Sequence, residues 1–313
     1  MQTDIPKLPI TELIFRYKTE NSFKLSGLTG SLWHGVFGKA LKEISCCSPG
    51  LMCADCMFLH SCDYSYLFAG IRPPQAELMT KYQTIPVPYV FRTEQVNDEI
   101  QFSAEQILEV PLILIGDSSQ RLSVVLHAMH KAGLNGLGRD RKRIQLMQVV
   151  QKVNQQTQVI LGEGGNKGLL PWQEPRLPAA PQAVVLKLIT PYKLSGDAKQ
   201  PDSIDIGKFL MQIIRRISLL QYFYTAQQLN ADFVYLKTLT ENIVAEQDIT
   251  YKESKRYSAS HGKVIDTSGF VGVLKLSMLG KEDLWPYIYL GQWLHVGKNA
   301  SMGFGRYEVV EVD

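Results

Sequence analysis

Leu294-His-Val-Gly-Lys-Asn-Ala-Ser-Met-Gly-Phe-Gly-Arg-Tyr307 decides how the chain is built, because a shorter version of it occurs once before. Met129-His-Lys-Ala-Gly133 leads in the same way to Gly136-Leu-Gly-Arg139. In both places an apolar-striped segment ends in a glycine-rich turn followed by arginine and then reaches a β-branched run, Ile144–Val150 or Tyr307–Val312. One turn at the same point of two similar strings of elements implies two copies of one fold.

Working back from the second copy, Ala183–Ile189 is a short β-branched run suited to a buried strand. Over Ser203–Leu229, apolar residues recur at Ile206, Phe209, Leu210, Ile213, Ile214, Ile217 and Leu220, a helical stripe behind an Asp202/Ser203 cap. Strand-like runs at Asn242–Glu253 and Gly269–Leu279 flank a polar basic loop. Glu282–Val296 has helical spacing, with Pro286 in its first turn. The order β-α-β-β-α-β is the ferredoxin-like (RRM-like) arrangement of two helices on a four-stranded antiparallel sheet.

The first half follows the same order with insertions. Thr11–Lys18 reads as a strand and Thr29–Ile44 as a helix, its stripe formed by Trp33, Val36, Phe37, Ala40, Leu41 and Ile44. Val87–Arg92 and Glu99–Ile107 are expected to pair, with Val110–Ile115 extending the sheet. Ser119–Ala132 is a second helix. The expected fold class is therefore α+β: tandem ferredoxin-like domains with a Cys-rich loop, residues 46–62, inserted in the first. Four prolines within Leu170–Pro181 break helix and strand alike. They set an N-terminal domain at 1–168, a linker at 169–182 and a C-terminal domain at 183–313.

With 313 residues, 45% of them hydrophobic and 20% charged, the chain can bury two ordinary cores. No apolar run approaches the roughly 20 residues that span a bilayer. The start, Met1-Gln-Thr-Asp-Ile-Pro6, lacks the basic and apolar regions of a secretory signal. A cytoplasmic location with no membrane partner is expected. Net charge is only +3, so basic character must be sought in clusters, Arg139-Asp-Arg-Lys-Arg143 and Lys252, Lys255, Arg256 and Lys263. All five cysteines fall between Cys46 and Cys62, an odd number in one loop, which argues against a disulfide framework.

The glycine-rich turns are candidate phosphate sites, since glycine lets the main chain approach a ligand and bare its N–H groups. Gly297, Gly303 and Gly305 would do so, with Lys298, Asn299, Ser301 and Arg306 beside them. Arg139, Arg141 and Arg143 flank the other turn. The alternative is a structural turn with solvated flanks. On the first helix His34, Gly38, Ser31, Lys42, Gly35 and Lys39 share the arc opposite the apolar stripe. A histidine beside two lysines suits acid–base chemistry on a phosphate, against the alternative of a surface histidine. The small residues there would let a substrate lie along the helix. His127, His130 and His295 read as core or boundary histidines, and His261 as an exposed residue of the basic loop. In the cysteine loop, Cys53-x-x-Cys56 suits one edge of a tetrahedral zinc site, completed by Cys62 and by Cys47 or Cys46, with His60 in reserve. Reduced, partly buried free thiols are the alternative. A closed four-thiolate site would be structural, so no catalytic cofactor is expected.

The chain resembles the CRISPR repeat-processing endoribonucleases of the RAMP superfamily. The resemblance is carried by Gly30-Ser-Leu-Trp-His-Gly-Val-Phe-Gly-Lys-Ala-Leu41 with the cysteine loop and Cys62-Asp-Tyr-Ser-Tyr-Leu-Phe68. It continues in Leu188-Ile-Thr-Pro-Tyr-Lys-Leu194, Arg256-Tyr-Ser258, Gly269-Phe-Val-Gly272 and Leu294–Tyr307, where His295 replaces the family's usual preceding glycine. It implies antiviral RNA processing: cleavage of CRISPR repeat RNA without a catalytic metal, a ribose 2′-OH attacking to leave a 2′,3′-cyclic phosphate and a 5′-OH. The implied acid is His34, with Lys42 or Lys39 stabilising charge. The glycine-rich loop and the basic hairpin, including His261 and Lys263, would hold RNA by shape and phosphate. A catalytically silent RNA-binding subunit of a CRISPR effector complex is the alternative, and other subunits of such a complex are possible partners.

Overall fold

Residues 10–19 alternate buried and half-buried side chains, as a strand with one face on a core must. The computed structural model describes residues 4–25, 29–92, 100–138, 140–154, 156–173, 175–193, 202–225, 227–258 and 263–312. Its contacts divide the chain into one unit of Pro9–Gln173 and another of Met1–Leu8 with Glu174–Asp313. The junction lies inside the proline-rich stretch. Asp4 and Lys7 join the second unit because their N–H groups donate to the Asn230 carbonyl at 3.2 Å and to Gln221 Oε1 at 3.1 Å.

The first unit runs β1 (Ile10–Thr19), β2 (Phe23–Leu25), α1 (Thr29–Ser45), β3 (Tyr89–Phe91), β4 (Ile100–Phe102), β5 (Ile107–Ile115), α2 (Leu122–Asn135), β6 (Ile144–Val153) and β7 (Gln156–Gly162). Its main sheet has the order β3-β5-β1-β6-β7, all neighbours antiparallel. The core forms where Trp33, Phe37 and Leu41 of α1 and Val125 and Met129 of α2 meet Leu13, Phe15 and Tyr17 of β1. Tyr17 stacks on Trp33 at 5.0 Å, and its buried hydroxyl donates to the Met129 carbonyl at 3.0 Å.

The expected pairing of Val87–Arg92 with Glu99–Ile107 is corrected. Strand β3 pairs with β5, and β4 instead forms a separate two-stranded sheet with β2. Phe23 opposite Phe102, with ring centroids 5.1 Å apart, gives that small sheet its own apolar contact. Strand β7 is an addition at the sheet edge.

The second unit runs β8 (Ala183–Tyr192), α3 (Ile206–Tyr224), α4 (Phe233–Glu241), β9 (Ala245–Lys252), β10 (Lys255–Ser258), β11 (Lys263–Asp266), β12 (Gly269–Ser277), α5 (Trp285–Leu294) and β13 (Tyr307–Val312). The sheet order β13-β8-β12-β9 is antiparallel throughout, and β10 and β11 form a hairpin between β9 and β12. This is the ferredoxin-like arrangement, and the fold class is α+β with two such units. Helix α3 begins later than expected. Asp205, not Asp202 or Ser203, caps it by accepting the Lys208 N–H at 3.0 Å. It ends at Tyr224 because Thr225 is extended, and a separate helix, α4, follows behind its own Asp232 cap. Among the described residues no helix is long and apolar enough to cross a membrane.

Candidate active site and RNA interface

His34 lies near the start of α1, half-buried beside two aromatic rings. Phe68 stacks on it at 4.6 Å and 29°, and Tyr89 at 5.9 Å and 29°. The Tyr89 hydroxyl meets His34 Nδ1 at 2.8 Å. Phe68 comes from a short helical segment, Ser65–Ala69, behind the cysteine loop, and Tyr64 stacks on its other side at 5.4 Å. A Cβ at Gly38 would collide with the Phe68 ring. The bare surface expected there for a substrate is therefore filled by the protein itself, and Ser31 is buried too. Gly35 keeps open space around it.

The two lysines are held by other partners. Lys39 pairs with Glu43 at 3.9 Å, and Glu43 also reaches Lys131 at 3.7 Å. Lys42 lies over the Tyr64 ring, 5.7 Å from its centroid. Phe68 and Tyr89 were not among the expected site residues. Phe68 lies in the Cys62–Phe68 stretch that carries the family resemblance, and the further sequence signal for both is the aromatic density of Tyr64-Ser-Tyr-Leu-Phe68 and Tyr89-Val-Phe91.

All five cysteines line one cavity of about 230 Å³, together with Lys42 and Tyr64. Cys46, Cys53, Cys56 and Cys62 are half-buried, and Cys47 is exposed. The Tyr64 hydroxyl is pushed up by burial and by the nearby thiols of Cys53 and Cys62. Among the described residues no three His, Cys, Asp or Glu side chains are arranged to hold a metal ion. Donor chemistry suits zinc, but the side chains do not converge. His60 is exposed.

In the second unit the glycine-rich loop rests on the end of β8. Gly297 has φ +85°, and a Cβ there would stand 2.7 Å from the Lys193 carbonyl. Gly303, at φ +93°, accepts the Thr190 hydroxyl at 2.7 Å through its carbonyl. Gly305, at φ +63°, donates its N–H to the Pro191 carbonyl at 3.0 Å and packs against Val296. The close approach that glycine permits is thus to the chain's own backbone. Lys298 is the exposed cation of the loop, with Asn299 and Ser301 half-buried near it. Arg306 is mostly buried and ion-paired with Glu308, which leaves it poorly placed for phosphate.

The Lys298 N–H donates to the Lys193 carbonyl at 3.1 Å, and the Lys193 ammonium pairs with Asp266 at the foot of the hairpin. The hydrogen bond from Lys193, then those from Ser268, hold the Asp266 carboxyl well below the usual range. Loop and hairpin therefore flank one strand end. Lys252 is half-buried and Lys255 exposed; Arg256 and Lys263 lie on β10 and β11, while His261 falls outside the described residues.

The turn in the first unit is smaller. Leu137 and Lys142 exchange N–H···O bonds of 2.8 and 3.0 Å, closing a loop that presents Arg141 and Arg143 to solvent; Arg139 lies outside the described residues. Its duplicated position is visible in the backbone. Gly136 caps α2 at φ 82°, ψ 156°, and His295 caps α5 at φ 58°, ψ 170°. His295 is buried as expected. His127 and His130 are exposed, a correction, because α2 turns Val125, Ala128, Met129 and Ala132 inward instead. A buried arginine was not anticipated either. Arg216 of α3, its guanidinium lowered to about 10 by burial, donates from Nε to the Leu294 carbonyl at 2.8 Å.

Residues 186–307 match the family described as CRISPR-associated endoribonuclease Cas6, and residues 8–173 match a family described as an N-terminal domain, AF_1859_N. The match in the second unit supports a CRISPR repeat-processing endoribonuclease family. A solved Cas6 product complex superposes with a TM-score of 0.57 at 14% identity, covering 96% of this chain and 100% of that one. Thermus thermophilus Cas6 gives 0.51 at 12%, covering 97% and 99%. A chain of a Cas6-RT-Cas1–Cas2 complex gives 0.51 at 12%, covering 97% of this chain and 46% of that one. At such identities these structures are evidence of a shared fold. No curated protein matches the chain.

Proposed function

We propose that this chain cuts CRISPR repeat RNA in its precursor transcript without a catalytic metal. The ribose 2′-OH upstream of the scissile phosphate attacks phosphorus, the 5′-oxygen leaves, and the products carry a 2′,3′-cyclic phosphate and a 5′-OH. The substrate supplies its own nucleophile, so no metal-bound water is needed. What remains is to pass the 2′-OH proton to solvent, to protonate the leaving oxygen and to steady charge on the phosphoryl oxygens.

The observation that carries this reading is the hydrogen bond between Tyr89 and His34 Nδ1 beside the stacked Phe68 ring, in a chain whose second unit matches an endoribonuclease family. A bond at Nδ1 fixes the imidazole and assigns proton delivery to Nε2. Lys39 and Lys42 lend positive charge along the same helix, and a phosphate at His34 would have to draw Lys42 off the Tyr64 ring. In the other unit, Lys298, Asn299 and Ser301 with the hairpin foot are the proposed grip on the RNA backbone. Arg141 and Arg143 add a supporting electrostatic contact. Further subunits of a CRISPR complex are proposed partners.

The test is incubation with a repeat RNA in EDTA, followed by analysis of the product ends. Cyclic phosphate and 5′-OH ends, lost in His34→Ala, are expected. Tight binding with no cutting would leave an RNA-holding subunit instead.

A further inference from the structure

The Cys62–Phe68 segment touches His34 from outside its own helix. Phe68 stacks on the imidazole at 4.6 Å, while the Tyr89 hydroxyl meets its edge at Nδ1 at 2.8 Å. Helix α1 carries no side chain where the Phe68 ring sits, because Gly38 leaves the seat open and any Cβ would strike it. The segment is itself pinned. Gly70 ends it in the left-handed region at φ 57°, and the Ile85 N–H donates to the Gly70 carbonyl at 2.7 Å. Tyr64 backs Phe68 and forms part of the thiol-lined cavity wall.

We infer that Phe68 is a positioning residue for His34, and that the cysteine insertion serves the cut by fixing Phe68. This rests on the reading of His34 as general acid. Tyr89 sets the rotation of the imidazole in its plane through Nδ1, and Phe68 sets the plane. A displacement of about 1 Å at the acid can cost a hundredfold in rate without touching the residues that bind RNA.

Three variants test it, each measured for melting temperature, RNA affinity and single-turnover cleavage at saturating RNA. Phe68→Leu is expected to bind RNA as the parent does and to cut about tenfold slower or worse. Gly38→Ala, which drives a methyl into the ring, is expected to lose both stability and rate. The double variant Gly38→Ala/Phe68→Leu makes room for that methyl, so stability should return while the rate stays low. A Phe68 that merely fills space predicts that rate follows stability. Should Phe68→Leu fail to fold, Phe68→Met, flexible enough to fill the gap, takes its place. A folded Phe68 variant that cuts at the parent rate, while His34→Ala does not cut, overturns the inference and spares the His34 reading. If His34→Ala itself cuts normally, the acid assignment falls, and the inference with it.

Discussion

Tyr89 Oη and His34 Nδ1 lie 2.8 Å apart, tying strand β3 to helix α1 at residues separated by 55 positions. Tyr89 is fully buried, so its hydroxyl has no water to fall back on. Tyr89→Phe should cost about 0.5–1.5 kcal/mol of stability, the net worth of one hydrogen bond. It should slow cleavage far more, about tenfold to a hundredfold, because the imidazole then loses its restraint at Nδ1. Thermal unfolding and single-turnover cleavage check the two effects. An unchanged rate would remove Tyr89 from the proposed mechanism.

Lys298 and Arg306 sit in one loop but should fail differently. Lys298 is exposed, whereas the Arg306 side chain is only 12% exposed and bound to Glu308. Lys298→Ala is expected to weaken RNA binding and to flatten the dependence of log affinity on log salt by about one unit. Arg306→Ala is expected to lower the melting temperature, by about 1–3 kcal/mol of stability, and to leave the salt slope alone. Titrations at several salt concentrations with melting curves separate them, and the reverse pattern would reassign the phosphate contact to Arg306.

The second unit was legible because its elements are long, periodic and closely spaced. The buried stripe of α3 and Pro286 in the first turn of α5 both fall where spacing put them. Pairing in the first unit was not legible. A β-branched run announces a strand but not its neighbour, so Ile100–Phe102 was joined to β3 instead of to Phe23–Leu25. Strand β7 fully buries only Ile160, and α4 turns Phe233, Val234 and Tyr235 outward while burying only Leu236, Leu239 and Thr240, so each is too short a signal to read. At the site, helical spacing pointed to His34 but gave no sign of Phe68 or Tyr89, whose contacts arise only on folding. Nor could spacing tell that the loop glycines approach β8 instead of a ligand.

Lys193 and Asp266 anchor the hairpin foot, and their titration sets where that anchor holds. Asp266 is depressed, first by its hydrogen bond from Lys193, so its contribution is present above the unfolded value of about 3.9 and lost as pH falls through the folded one. Lys193 is raised, first by Asp266, so its contribution is present below the unfolded value of about 10.4 and lost as pH rises through the folded one. The anchor should therefore be intact at neutral pH and erode only below about pH 4 or above about pH 10. With Asp266 48% exposed, Asp266→Asn should cost less than about 1 kcal/mol. Urea melts of the parent and Asp266→Asn across that range check it. A difference that vanishes at pH 7 would contradict the assignment.

For the thiol loop, we propose one structural zinc held by Cys47, Cys53, Cys56 and Cys62, on the strength of the Cys53-x-x-Cys56 spacing and the shared cavity. Binding requires the thiols to close to about 2.3 Å from one ion. Protein purified without chelator should then carry about one equivalent of zinc, with four thiols protected from alkylation until chelator is added. Five thiols that alkylate at once, with little zinc present, would leave the loop as free cysteine.

His295 and Gly136 hold the same backbone shape at the ends of α5 and α2, φ 58°, ψ 170° and φ 82°, ψ 156°. This region is almost reserved for glycine and costs another residue about 1–3 kcal/mol. The His295 ring is 1% exposed, so its loss leaves a cavity whatever replaces it. Alanine keeps the strained backbone and glycine relaxes it, while the two cavities differ by one methyl. His295→Gly should therefore melt above His295→Ala, although the extra unfolded-state freedom of glycine takes back about 0.4–1 kcal/mol. The mirror experiment is Gly136→Ala, in which the added Cβ meets the Arg141 carbonyl as well as the unfavourable φ. It should destabilise the first unit by more than strain alone. If His295→Ala proves the more stable of its pair, the backbone at His295 is not strained, and the burial of its ring is what holds the end of α5 in place.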